Sequence, residues 1–79
     1  MMLEFYLDDV IVFNTKSDCV PPPGAEVRFA METTVSGYVQ GWNIRAKVRD
    51  DKSPRYAFAD GPTVAMDIEV VDFSMSRDE

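Results

Sequence analysis

Three consecutive prolines and a glycine at residues 21–24 limit what this chain of 79 residues can fold into. Proline fixes φ and lacks a backbone donor, so the segment is excluded from a helix interior and from a central strand. Gly24 permits a turn conformation that other residues avoid. Directly after it, Val27 and Phe29 alternate with polar or small residues, which is the period of a half-buried strand. We therefore predict a rigid corner that starts a strand over residues 25–31.

The N-terminal sequence predicts a β-hairpin before this corner. Two apolar runs, at residues 3–7 and 10–13, flank Asp8 and Asp9. Strand-forming runs separated by two turn-forming residues are typical of a hairpin. One long strand with a bulge at the two aspartates is the alternative. The polar residues 14–18 are then a loop that leads into the corner.

The longest strand is predicted at residues 35–48. Apolar residues share one parity from Trp42 to Val48, and basic residues hold the other. Gly37 and Gly41 indicate bends within the strand. Because Trp42 has the parity of the core, we predict that its side chain is buried.

Two more strands are predicted near the C-terminus. Residues 56–59 form a short strand between polar turns at residues 50–54 and 60–62. The last strand covers residues 63–73. Its apolar parity changes at Val71, which indicates a bulge or a barrel corner.

Five or six short antiparallel strands in a chain of this length cannot bury their apolar faces as a flat sheet. Without covering helices the sheet must curl on itself. We therefore predict an all-β fold, a small and partly open antiparallel β-barrel that occupies residues 1–79 as a single domain. Residues 74–79 are predicted to be a flexible tail.

Four features follow one another along the chain: a hairpin with an acidic turn, the segment VPPPGAEVRF, a strand bearing Tyr and Trp, and a final VAMDIEVVDF strand. This order resembles small SH3-like barrel proteins, mostly uncharacterised, that phages, prophages and plasmids encode. In their pattern a Pro-x-x-Gly-x-x-Val element enters the second part of the barrel, and Pro21, Gly24 and Val27 match it. The resemblance implies a fold and a mobile-element origin, and it carries no active-site residues.

The charge balance limits the partners. Fourteen acidic and 8 basic residues give a net charge of −6, which argues against duplex DNA and an anionic membrane. The N-terminus lacks the features of a signal peptide, and no apolar run approaches the ~20 residues that span a bilayer. Cys19 is the single cysteine and suits a reducing compartment. We expect a protein of the cytoplasm, in the bacterial host that the resemblance implies.

No catalytic constellation is visible in the sequence. The chain has no histidine, which removes the commonest general base and the commonest metal ligand. Its four glycines are scattered and form no phosphate-binding loop. Cys19 has no second cysteine for a zinc site and no base to activate it, so it is interpreted as a packing residue beside Pro21. We expect no enzyme activity and no cofactor.

Residues 45–55 are basic within an acidic chain, with five cations against two carboxylates. The cations are Arg45, Lys47, Arg49, Lys52 and Arg55, and the first three share one strand face as a basic stripe. One interpretation is structural, because Asp67 and Glu69 on the last strand are candidates for cross-strand pairing with these cations. Charged side chains on an exposed strand also prevent edge-to-edge aggregation. The other interpretation is a docking face for a nucleotide phosphate, RNA or an acidic partner.

The acidic surface is the second candidate interaction face. We assign to it Asp8, Asp9, Glu26, Asp67 and Glu69. Aspartates also form turns through their own backbone hydrogen bonds, so a structural role alone explains those in the predicted turns. A small acidic β-protein is suited to cover the nucleic-acid-binding groove of another protein.

Three functions are therefore open. The first is a non-enzymatic inhibitor or adaptor, encoded by a mobile element, that covers a surface of a host protein such as a nucleic-acid-binding or defence complex. The second is a structural subunit, such as a phage component, that forms homo-oligomers by strand addition. The third is a small-ligand binder that holds a nucleotide on Arg45, Lys47 and Arg49.

Overall fold

The computed structural model describes residues 1–59 and 61–75, and in that part of the chain every regular element is a strand. The six strands are β1 (Met2–Leu7), β2 (Val10–Lys16), β3 (Glu26–Ala30), β4 (Asn43–Val48), β5 (Arg55–Ala57) and β6 (Thr63–Ser74). They form one sheet in the order β2-β1-β6-β4-β3, with β5 also beside β6. The sheet curls into an open half-barrel, which confirms the predicted all-β, partly open barrel.

β6 joins the two halves of this sheet. Its first residues, 63–67, pair with β1, whereas residues 68–74 pair with β4. β5 pairs with residues 63–65. All of these pairings are antiparallel except β1 with β6, which run parallel. Because β1 and β6 are distant in sequence, no local sequence pattern indicates that they pair. Their parallel pairing departs from the antiparallel arrangement that the sequence predicts.

The N-terminal hairpin is present as predicted. Asp8 and Asp9 both have positive φ, 51° and 65°, which is the type I′ turn that suits the twist of a two-residue hairpin. The bulge therefore does not lie at the aspartates. It lies in β2, where Phe13 pairs with Phe5 and Ile11 pairs with Tyr6, so that the residue between them is extra.

The proline corner launches β3. The backbone N–H of Ala25 donates to the Pro22 carbonyl, and that of Gly24, at φ 88°, donates to the Val48 carbonyl of β4. These bonds fix the corner against the sheet before β3 begins. Cys19, which the sequence predicts to be a packing residue beside Pro21, is exposed.

The predicted long strand over residues 35–48 is wrong in its first half. Only Asn43–Val48 forms a strand, and residues 31–42 form a loop that contains an isolated bridge between Val35 and Tyr38. Ser36 and Gly37 turn this bridge with φ of 54° and 87°. The left-handed conformation of two successive residues reverses the chain, which an alternating pattern alone does not reveal.

The bulge predicted near Val71 is confirmed. Arg45 pairs with Asp72 and Ala46 pairs with Val70, so Val71 is the extra residue on β6. Ser74 still belongs to β6, which corrects the predicted start of the tail. The rest of that prediction, at residues 76–79, and the first residue of the predicted turn at 60–62 lie outside the described residues.

The core lines the concave face of the sheet. Its buried apolar residues are Leu3, Phe5, Val12, Phe29, Met31, Val35, Ile44, Ala46, Val48, Val64, Met66 and Ile68. The two edges of the sheet approach each other where the N–H of Glu32, two residues after β3, donates to the Val12 carbonyl of β2 (2.9 Å). Beside this bond the rings of Phe13 and Phe29 stack with centroids 5.1 Å apart. The aromatic contact and the single backbone bond hold the half-barrel partly closed.

Candidate functional site

Carboxylates lie beside the basic stripe on β4 and balance its positive charge. Arg45 lies 3.6 Å from Asp72, and Arg49 lies 2.6 Å from Asp51. The hydrogen bond from Arg49 lowers the pKa of the Asp51 carboxyl and, in return, raises the pKa of Arg49. In the sheet register Lys47 lies between Glu26 on β3 and Glu69 on β6. Each cation of the stripe therefore has a carboxylate neighbour, and the stripe is not an isolated anion-binding face.

Arg55 and Asp67 form an ion pair on the convex face of the sheet. The guanidinium of Arg55 donates to an Asp67 oxygen at 2.8 Å, and the Asp67 side chain is only 8% exposed. The same guanidinium lies over the Tyr6 ring, 5.2 Å from its centroid. The Tyr6 hydroxyl donates to Glu4, and burial together with this carboxylate raises the pKa of Tyr6. Asp67, predicted to be an interaction residue, is thus enclosed by its own chain.

Five of the ten candidate residues meet at one small cavity of about 130 Å³. They are Asp8, Asp9, Arg49, Lys52 and Asp67, and the rest of the lining is Tyr6, Leu7 and Ile68. Asp8 also accepts a hydrogen bond from Ser36, which ties the β1–β2 turn to the turn of the 31–42 loop. Because carboxylates and cations are mixed at similar numbers, the cavity favours neither an anion nor a cation.

Of the remaining candidates, Arg55 on β5 holds Asp67, and the other four lie on the outer face of β3, β4 and β6. Glu26 forms an exposed ion pair with Arg28 at 3.0 Å and does not line the small cavity. Each arginine in the described part of the chain, at positions 28, 45, 49 and 55, has a carboxylate partner. The structure therefore divides the predicted residues between two places and leaves their arginines already paired.

Sequence reasoning missed an aromatic cluster at the C-terminal end of β6. The Phe73 ring stacks on Trp42 with centroids 5.5 Å apart and planes inclined by 8°, and Tyr38 meets it edge-on at 5.4 Å. We call these three residues the aromatic platform. Phe73 is 46% exposed and Met75, beyond it, is 64% exposed, whereas Trp42 is half-buried and not buried as predicted. The parity change at Val71 was the one sequence signal that pointed here.

A shallow groove of about 560 Å³ borders the platform. Its apolar lining includes Phe73, and its charged lining is Arg28, Arg45 and Asp72. The Nε atom of Arg45 is buried without a hydrogen-bond partner, so this guanidinium is incompletely satisfied by its own chain. An apolar centre with a charged border is the usual anatomy of a protein-binding surface.

A second exposed aromatic pair lies at the other end of β6. Tyr56 pairs with Val64 near the start of the strand and stacks on Phe58, with ring centroids 6.2 Å apart. Phe58 is 72% exposed, the largest exposure among the large apolar side chains of the described residues. Unlike Phe73, it has no half-buried tryptophan beneath it to form a broader platform.

Comparisons with protein-family models, curated proteins and solved structures find no match to this chain. The resemblance to SH3-like phage proteins therefore stays a prediction. Across residues 1–59 and 61–75, no three side chains of His, Cys, Asp or Glu are grouped so that they could hold a metal ion. The same residues contain no helix that is long and apolar enough to cross a membrane.

Proposed function

We propose that this chain is a non-enzymatic binding protein that covers a surface on another protein. The aromatic platform is the observation that carries the proposal, because Phe73 stays 46% exposed while it stacks on Trp42. Exposed apolar surface with a charged border marks interaction sites, and Trp, Tyr and Arg are enriched among the residues that dominate binding energy. The expected partner is a host protein such as a nucleic-acid-binding or defence complex, with this chain as its inhibitor or adaptor in the bacterial cytoplasm.

Affinity capture with two matched variants tests the proposal. Phe73→Ser removes the exposed ring from the platform, and Phe58→Ser makes the same change at the other end of β6. The tagged proteins are incubated with bacterial lysate, and bound proteins are identified by mass spectrometry. We expect one partner to be lost with Phe73→Ser and kept with Phe58→Ser. A partner that Phe73→Ser keeps while Phe58→Ser loses it would move the site and refute the platform as the docking surface.

A homo-oligomeric structural subunit is the second candidate. It is favoured by the two exposed aromatic surfaces at opposite ends of β6, since such a pair suits a head-to-tail contact between copies. Light scattering over a range of concentrations decides this question, because a monomer throughout counts against a subunit that assembles by itself.

A nucleotide binder is not favoured. Arg45 and Arg49 are committed to Asp72 and Asp51, and Lys47 lies between two glutamates in the register. A phosphate would compete with these carboxylates for both arginines.

A further inference from the structure

The C-terminal half of β6 has a free edge. The β1 pairing ends at Asp67, and no described strand continues it on the side of β6 that faces away from β4. The backbone N–H of Arg49 donates to the Asp67 carbonyl, so residues 67 and 69 direct their backbone groups to β4. By alternation Val70 directs its own groups to the free edge. The Phe73 N–H is also outside the ladder, but it is already bonded to the Asp72 carboxylate (2.8 Å).

Charges on the outer face of the sheet indicate what fits this edge. One row runs Glu26, Lys47, Glu69 across β3, β4 and β6, and the next row runs Arg28, Arg45, Asp72. Both rows therefore stop at a carboxylate on the free edge. Opposite charges are favourable cross-strand neighbours. A strand added at this edge would therefore be stabilised by a cation beside each of these carboxylates.

From these observations we infer that the edge at residues 70–75 takes an extended segment of the partner protein as an added strand. The segment carries two basic side chains separated by one apolar residue. The cations meet Glu69 and Asp72, which the bulge at Val71 brings to neighbouring positions on the outer face. The apolar residue faces the aromatic platform. Strand addition of this kind gains affinity from backbone hydrogen bonds and specificity from alternate side chains.

A second copy of the chain fits this edge poorly. Within the described residues β6 carries acidic side chains and no basic one, so two copies of its edge would repel each other. The basic–apolar–basic pattern does occur at residues 45–49, but β4 is already paired on both sides, with β3 and with β6. The occupant is therefore a segment of another protein. This inference rests on the proposed function and specifies the chemistry of its partner.

Peptide binding tests the inference directly. The probe is a short fluorescent peptide in which lysine and valine alternate, and its control has the same composition with the lysines contiguous. We expect the alternating peptide to bind more tightly and to slow the hydrogen exchange of the Val70 amide. Combining Glu69→Gln with Asp72→Asn should weaken its binding about tenfold. The control Glu26→Gln removes a carboxylate at the far end of the same row and should leave binding unchanged.

Several results would overturn the inference. These are equal binding of the two peptides, protection at residues 26–30 in place of 70–75, or an equal loss with Glu26→Gln. A dimer without peptide whose residues 70–75 are protected would make a second copy the occupant. Urea unfolding of each variant confirms that the fold is intact before binding is compared. If Phe73→Ser abolishes capture but the peptide results fail, only the strand addition is wrong. If Phe73→Ser leaves the capture of the partner unchanged, the proposed function fails as well.

Discussion

Replacing Arg55 with alanine removes the guanidinium that hydrogen-bonds a buried carboxylate. Asp67 is 8% exposed at its side chain, whereas Arg55 is 54% exposed, so the substitution opens a path for water but leaves a charge in a largely enclosed position. The Tyr6 ring also loses the cation above it. The stability of this variant therefore distinguishes a structural role of Arg55 and Asp67 from a role in binding a partner.

The expected cost follows from the burial of the two partners. Breaking a fully buried ion pair costs about 3–5 kcal/mol, whereas an exposed pair is worth about 0–1 kcal/mol. Because one partner is buried and the other is half-exposed, we expect Arg55→Ala to lower the free energy of unfolding by about 1–2 kcal/mol. That corresponds to a fall in Tm of roughly 5–15 °C for a chain of this size.

Urea denaturation of a double-mutant cycle measures the interaction. The variants are Arg55→Ala, Asp67→Asn and the double variant, and we expect a coupling free energy of about 1 kcal/mol. The matched control is Arg28→Ala, whose ion pair with Glu26 is exposed on both sides and should cost at most about 0.5 kcal/mol. If Arg55→Ala costs no more than Arg28→Ala, or if the coupling is zero, the structural role of the pair is refuted.

Four further outcomes are expected. Asp9→Gly should raise the urea midpoint, by about 0.5 kcal/mol in free energy, because glycine adopts the positive φ of the type I′ turn without strain. The raised pKa of Tyr6, caused first by burial and then by Glu4, means that the folded chain keeps its phenolic proton to a higher pH than the unfolded chain. Stability is therefore full below about pH 10 and falls as the pH rises through the folded pKa, and Tyr6→Phe should remove this fall in urea midpoints measured across the alkaline range. Phe29→Leu should cost about 1–2 kcal/mol in urea denaturation, since its ring bridges the outermost strands, whereas Phe73→Leu should cost less because that ring is half-exposed. A thermal-shift screen with nucleotides should leave the Tm unchanged, and a rise that requires Arg45 and Lys47 would restore the nucleotide hypothesis.

The candidate surface was only partly accessible to sequence reasoning. The sequence shows that residues 45–55 are unusually basic, but their carboxylate partners Asp72, Asp51 and Asp67 are fixed by strand register and loop conformation. The aromatic platform joins the 31–42 loop to the end of β6, two segments that are far apart in sequence. A pattern of alternating residues contains no information about which strand of the chain lies beside which.

Local chemistry alone determined several parts of this protein. The two aspartates between apolar runs specify the hairpin turn, the prolines and Gly24 specify the corner, and the parity change specifies the bulge at Val71, because each depends on conformations of neighbouring residues. Tertiary structure decided the parallel pairing of β1 with β6, the left-handed turn at Ser36 that ends the predicted long strand, and the enclosure of Asp67. Those features depend on contacts between distant segments, where burial and register outweigh local preference.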